Sequence, residues 1–409
     1  DLIEAEAAAL ARLEAVASTR LVGELVAGDI AVTAEQIRFF AEFADKEGSD
    51  LVPTEDGQLG MVLSEPLGVV GAITPWNFPL SMAGWKLAPA LAAGNAVVLK
   101  PSELTPFSTI HMAQLALRAG LPAGLINVVL GDGRVTGSAI TGHPDIAKVS
   151  FTGSTAAGAA IMTNVAASGV KPMTLELGGK SPQLVFADID DLDGTATKLA
   201  AGFLGNAGQV CTAGTRLILQ RPVADALLER IERHCRAVRP GPTWRGSTDF
   251  PPIVSERQAA RIDGLVRRTV AEGASVRLGG TRLEGSNAGS FYAPTLLEGV
   301  TPAMTGFKEE FFGPVASVHR FDDIEEGLAM ADHPTYGLAA SVFTSDIKLA
   351  LHAIDRIEAG MVWVNQNGRG PEFTFPAGGW KGSGFGKDMG RAGIEAFTRQ
   401  KAAWINYAA

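Results

Sequence analysis

What most constrains this chain is an alternation that begins at Pro66. Short apolar runs at 68–74, 96–100, 126–130, 147–151 and 173–177 read as strands, and helical stretches at 81–93, 106–119 and 156–167 separate them. The theme resumes with 183–186 and 216–220 as strands and 192–204 and 224–238 as helices. Strand, helix, strand in succession is how a parallel sheet is wound, so an α/β fold is predicted. A chain of 409 residues with 46% hydrophobic content has length and apolar surface for two or three domains. Gly178-Gly179, where a strand gives way to a glycine pair, is the expected boundary.

Outside this core the reading is coarser. Residues 1–20 form an amphipathic helix already under way at Asp1, which raises the expectation that native sequence precedes it. A second helix is predicted to start with Thr33 as N-cap and to bury Ile37, Phe40 and Phe43. Residues 57–65 look like a hairpin or an arm leaving the main body, and 402–407 is a second segment able to add a strand to a neighbouring subunit. The proline- and glycine-rich stretch 239–252 reads as a surface loop without a role.

Charge and cysteine count narrow the function. A net charge of −9 argues against nucleic acid or an anionic membrane as partner and favours a small molecule. Pro66, Pro75 and Pro79 break the uncharged stretch that follows Glu65, so a membrane span is not expected. Two cysteines do not make a disulfide framework, no signal peptide is recognisable, and a cytoplasmic setting is expected. The six histidines lack ligand spacing, so no metal site is predicted.

The chemistry gathers around 205–214, where Cys211 sits among small residues and glycines. Such a cysteine is either a small buried hydrophobe or a nucleophile whose surroundings let backbone amides face an oxyanion. Glu176, between leucines and before two glycines, is either a paired structural carboxylate or a general base whose pKa is raised by apolar flanks. Asn77 in Pro75-Trp76-Asn77-Phe78-Pro79 is either a turn residue or an oxyanion donor. Lys100-Pro101-Ser102-Glu103 follows a strand, and Phe151-Thr152-Gly153-Ser154 opens a helix whose N-terminus suits a pyrophosphate. Gly131, Gly133 and Gly137 do not have the spacing of the usual dinucleotide fingerprint.

Together these motifs, with Leu175 to Lys180, Gly208 to Cys211, Glu309 to Pro314 and the Gly378–Gly386 run, resemble the NAD(P)-dependent aldehyde dehydrogenase superfamily over nearly the whole chain. The resemblance implies a Rossmann-type nucleotide domain (1–47 and 67–178, its first part missing), an α/β catalytic domain (179–396) and a small β oligomerisation arm (48–66 and 397–409). It implies Cys211 as nucleophile, Glu176 as general base, Asn77 and the Cys211 amide as oxyanion donors, and Lys86 as a proton-relay partner. Lys100 and Glu103 would hold the adenosine ribose, Ser154 the pyrophosphate, and Glu310 with Phe312 the nicotinamide ribose and ring. Thr74, Pro75, Trp76, Ser102, Gly133, Phe151, Gly153 and Leu177 complete the expected cofactor set. NAD is expected over NADP, because a 2′-phosphate would meet the Glu103 carboxylate, and a homodimer or homotetramer is expected. The implied reaction takes an aldehyde to its acid through a cysteine thioester. The alternatives are a CoA-acylating relative, which would lack the glutamate base, and a catalytically idle relative serving as a structural or binding protein. Ala377 stands where relatives often carry phenylalanine, a smaller side chain near the substrate channel that leaves the size of the substrate open, and the 240–252 region is shorter than usual.

Overall fold

The computed structural model describes residues 1–283, 290–368, 370 and 372–408. The alternation builds two sheets. In the first, Met173–Glu176, Lys148–Thr152, Val69–Ile73, Ala96–Lys100 and Ile126–Val128 lie side by side and parallel, in that spatial order. Counted along the chain this order is 5-4-1-2-3, so the winding reverses between Val69–Ile73 and Lys148–Thr152. Connections leave such a reversal on opposite faces and open a crevice beyond the carboxyl ends of the two strands. Both faces of this sheet are covered, which is why its strands read as continuous apolar runs. Val70, Ala72, Val97 and Leu99 are buried against Leu80, Ala83 and Leu87 of the helix Pro79–Ala92. That helix begins on Pro79, whose missing N–H is no loss in the first turn.

The second sheet contains Ser275–Leu278, Thr295–Glu298, Val315–Phe321, Arg216–Gln220, Pro182–Val185, Ala339–Phe343 and Met361–Val364, in that order. All neighbours are parallel except the antiparallel first pair. Helix Arg221–Ala237 packs Leu227, Leu228, Ile231 and Cys235 on it, so Cys235 is a core residue whose thiol burial pushes up to about 12. The chain passes from the first sheet to the second across Gly178-Gly179, then returns: Gly384–Phe385 pairs antiparallel with Leu175 and Glu176 on the edge of the first sheet.

Three sequence expectations change. Thr33 is not an N-cap: the helix is already running from Val22, through a π-turn at Val26–Ile30, into Ala31–Ala41. The Thr33 hydroxyl donates back to the Asp29 carbonyl at 2.5 Å, the bond a threonine makes inside a helix. The two edge segments pair with each other, Gln58–Pro66 running antiparallel to Thr398–Asn406 from Gln58↔Asn406 to Pro66↔Thr398, with Asp50–Val52 on the far side. The 239–252 stretch is anchored: Phe250 and Thr243 are buried, and the Thr243 hydroxyl donates to the Ala15 carbonyl. Among the described residues no helix is long and apolar enough to cross a membrane, and no cluster of three His, Cys, Asp or Glu side chains is arranged to hold a metal.

Candidate active site

The crevice at the reversal is lined by segments that leave the two central strands. Thr74 ends Val69–Ile73 and donates its N–H to the Lys100 carbonyl at 3.0 Å, so the Pro75-Trp76-Asn77 turn rises beside Lys100. Lys100 is buried, its Nζ donating to the Pro101 carbonyl at 3.1 Å and pairing with Glu103 at 3.4 Å, while half of the Glu103 side chain stays exposed. The buried Ser102 hydroxyl accepts from the Leu104 N–H. Gly153 donates its N–H to the Glu176 carbonyl, and Ser154 caps helix Thr155–Ser168 by accepting from Ala157 N–H at 3.2 Å. Gly133 is exposed in a turn capped by Asp132. The Phe151 and Leu177 side chains lie beneath the crevice, packed with Ile73 and Leu175. Trp76 meets Phe312 edge-on, their centroids 5.3 Å apart.

Cys211 reaches this crevice from the second sheet's side. Helix Leu192–Leu204 ends in a turn whose Asn206, Ala207 and Gly208 have φ of 50°, 50° and 71°. A Cβ on Gly208 would stand 2.1 Å from the Gly313 carbonyl oxygen, so only glycine lets the turn lie against the segment that carries Glu310 and Phe312. Asn77 Nδ2 donates to the Gln209 carbonyl at 3.0 Å, joining the turn after Val69–Ile73 to the loop of Cys211. Burial first, then the nearby Glu310 and Glu176 carboxyls, push the partly exposed Cys211 thiol up to about 12; the Thr212 and Cys211 amides act in the opposite direction.

Two carboxyls flank that sulfur. Glu176 ends Met173–Glu176 almost wholly buried, and its Oε1 has no hydrogen-bond partner. Burial and Asp388 push its pKa up to about 8 against the pull of Lys86 and Lys387. Glu310 is held by the Gly179 N–H, which donates to Oε1 at 3.1 Å, and burial raises it to about 7. A Cβ on Gly178 would fall 2.3 Å from Glu310 Oε2, so the glycine pair at the crossing admits this carboxyl.

The sequence reading missed what lies behind Glu176. Lys86, on the buried face of its helix, pairs with Asp388 at 2.5 Å, and neither side chain touches solvent. Lys148, also buried, donates to the Thr174 hydroxyl at 2.8 Å, lies 5.2 Å from the Phe397 ring centroid, and is lowered to about 8 by burial. A lysine in an otherwise apolar helix signals a partner, but nothing in the sequence names Asp388. Ala377 is buried with Phe40, Phe373, Met389 and Ile394, and its main chain pairs with that of Asp388. Its side chain is therefore core packing beside the Lys86–Asp388 ion pair. The end of the 239–252 stretch, expected to have no role, takes part as well: the Pro252 carbonyl accepts from Gln209 Nε2.

A thiol flanked by an unpaired buried carboxyl and a side-chain amide, at the mouth of a dinucleotide-type crevice, is an arrangement for acyl chemistry coupled to a nucleotide. A profile of the aldehyde dehydrogenase family matches residues 1–403. An aldehyde dehydrogenase of Enchytraeus buchholzi is 40% identical over 405 residues, covering 99% of this chain and 81% of that protein. An indole-3-acetaldehyde dehydrogenase solved with NAD+ is 40% identical and superposes with a TM-score of 0.96, over 99% of this chain and 82% of its own. The NAD+ complex of an aldehyde dehydrogenase from Bacillus cereus is 39% identical, with the same TM-score of 0.96 over 99% and 82% of the two chains. Sequence and fold agree, and the chain belongs to the aldehyde dehydrogenase family.

Proposed function

We propose that this protein oxidises an aldehyde to its carboxylic acid, with NAD as cofactor, Cys211 as nucleophile and Glu176 as general base. The observation that carries the reading is the meeting of three groups from distant parts of the chain: Asn77 bonded into the Cys211 loop, and the Glu176 carboxyl close enough to raise the Cys211 thiol.

A dinucleotide fits the crevice by its donors and acceptors. The half-exposed Glu103 carboxylate beside Lys100 suits a ribose, Ser154 stands at a helix N-terminus, and Phe312, two residues beyond Glu310, meets Trp76. NAD, when bound, supplies the hydride acceptor. The remaining work falls to the chain. The resting thiol is protonated at neutral pH, and because Cys211 is partly exposed its proton can leave to solvent as the attacking thiolate forms. The thiolate then bonds the carbonyl carbon, and negative charge on the oxygen is received by the free N–H of Asn77 Nδ2 and the Cys211 amide. Loss of hydride leaves a thioester on Cys211. Glu176 next deprotonates a water that attacks the thioester; the thiolate leaves and the acid is released. The Lys86–Asp388 pair gives the Glu176 proton neighbouring groups to pass to. A carboxyl with a free oxygen next to the sulfur favours water over CoA as the acyl acceptor.

In this reading 1–47 with 67–178 serves the nucleotide and 179–396 the chemistry, while 48–66 with 397–409 serves assembly into dimers or tetramers. The exposed Leu51, Trp404, Ile405 and Tyr407 of the arm support the last assignment. The test is a panel of aldehydes with NAD and NADP, read as NADH and acid formed in equal amounts, in the native protein and in Cys211→Ala. The variant should bind NAD and turn over nothing; dehydrogenase activity in it would end the assignment.

A further inference from the structure

Asn206 and Gln209 have no part in the steps above, yet the turn they occupy is built around them. Three successive residues, Asn206, Ala207 and Gly208, are left-handed, a conformation that strains any residue with a Cβ. Asparagine tolerates it; Ala207, fully buried, must be held there. The fully buried Gln209 side chain does the holding. Its Nε2 donates to the Asn206 carbonyl at 2.9 Å and to the Pro252 carbonyl at 3.2 Å, and its Oε1 accepts from the Val254 N–H at 2.9 Å. The buried Asn206 amide then points back at the catalytic turn. Its Nδ2 donates to the Asn77 carbonyl at 3.2 Å and to the Gln209 carbonyl at 3.4 Å, the same oxygen that accepts from Asn77 Nδ2 at 3.0 Å. Two carbonyl acceptors fix the nitrogen end of the Asn206 amide. The result is a closed ring in which both the main chain and the side chain of Asn77 are tied, with one Asn77 N–H left free.

We infer that Asn206, clamped by Gln209, is a positioning residue that aims the free N–H of Asn77 at the oxyanion. The inference rests on the reading of Asn77 as oxyanion donor. An oxyanion donor acts through pre-set geometry, so loosening the ring should cost about as much as removing the donor, and nothing further once the donor is gone.

The test is a double-mutant cycle on the rate of the first-turnover NADH burst. Asn206→Asp keeps the residue's tolerance of positive φ but turns an oxygen toward two carbonyls. It should slow the burst about 100-fold in the native background and less than about threefold in Asn77→Ala, with KM for NAD unchanged in both. Should Asn206→Asp fail to fold, Asn206→Gly, which the backbone admits, goes through the same cycle. Equal fold-losses in the two backgrounds, or a burst within about threefold of native in Asn206→Asp, would overturn the inference. An Asn77→Ala variant with a native burst would instead sink the oxyanion reading on which it rests.

Discussion

Two lysine–carboxylate pairs belong to the candidate site, and they differ in nearly every physical respect. Lys100 and Glu103 are three residues apart, 3.4 Å from each other, with Glu103 half in water. Lys86 and Asp388 are 302 residues apart, 2.5 Å from each other, and sealed from solvent. Lys100 is buried and keeps its bond to the Pro101 carbonyl, while the half-exposed Glu103 carboxylate can rehydrate, so the contact between them can open at small cost. A buried pair has lost its hydration, and its members depend on each other. In the proposed function the first binds something that comes and goes; the second sets the field around Glu176 and Lys148, both of which sense Asp388.

The same change, carboxylate to amide, should therefore have opposite consequences at the two places. Asp388→Asn leaves the Lys86 ammonium buried without its counter-charge and should cost about 3–5 kcal/mol in chemical denaturation. Adding Lys86→Met should recover more than half of that. A loss below about 1 kcal/mol in the single variant would mean that water reaches the pair and that the two regions are alike.

A third carboxyl sharpens the point, because it is buried with only weak help from a cation. Glu14 accepts from the Leu80 N–H at 3.2 Å at the start of helix Pro79–Ala92, its Oε2 has no partner, and burial raises it from 4.5 to about 7. The folded protein thus holds this proton to higher pH than the unfolded chain does. The stability it contributes is full below about pH 4.5 and lost as pH rises through about 7, on the order of 3 kcal/mol in all. Glu14→Gln should flatten the fall in Tm over this range; an unchanged slope would show that Glu14 is not what titrates.

The smallest structural effect belongs to Glu103→Gln, which should move stability by no more than about 0.5 kcal/mol. Its effect should appear in cofactor choice, with kcat/KM for NADP rising about tenfold relative to NAD once the like charge facing a 2′-phosphate is gone. Equal use of both cofactors by the native protein, or no gain in the variant, would remove Glu103 as the selector.

The same contrast explains what could be read before the fold was known. The Lys100–Glu103 edge was legible as structure because its parts are neighbours in the chain: the strand expected at 96–100 is the strand Ala96–Lys100, and Glu103 follows at once. Cys211, Glu176 and Asn77 stood out by local setting, a thiol among glycines, a carboxyl between leucines and an amide between prolines. Asp388, Lys148 and the clamp of Gln209 onto Pro252 and Val254 did not, since each acquires its meaning from a partner across the fold. Thr33 was misread because a threonine that bonds back inside a helix looks the same in sequence as one that caps it. The arm strands were seen singly, and nothing local said that they would satisfy each other over nine residue pairs.

In the proposed reaction, release of the acid depends on Glu176 resolving the thioester. Glu176→Gln, followed by stopped flow from the first turnover onward, tests this directly. With a pKa near 8 in the native protein, steady-state turnover limited by deacylation should climb as pH rises through about 8. In the variant that rise should vanish: a burst of about one NADH per site survives, followed by a steady state at least about 100-fold slower than native. Normal steady-state turnover in Glu176→Gln, or a burst lost in proportion to the steady state, would contradict the assignment of Glu176 as the base that releases the acid.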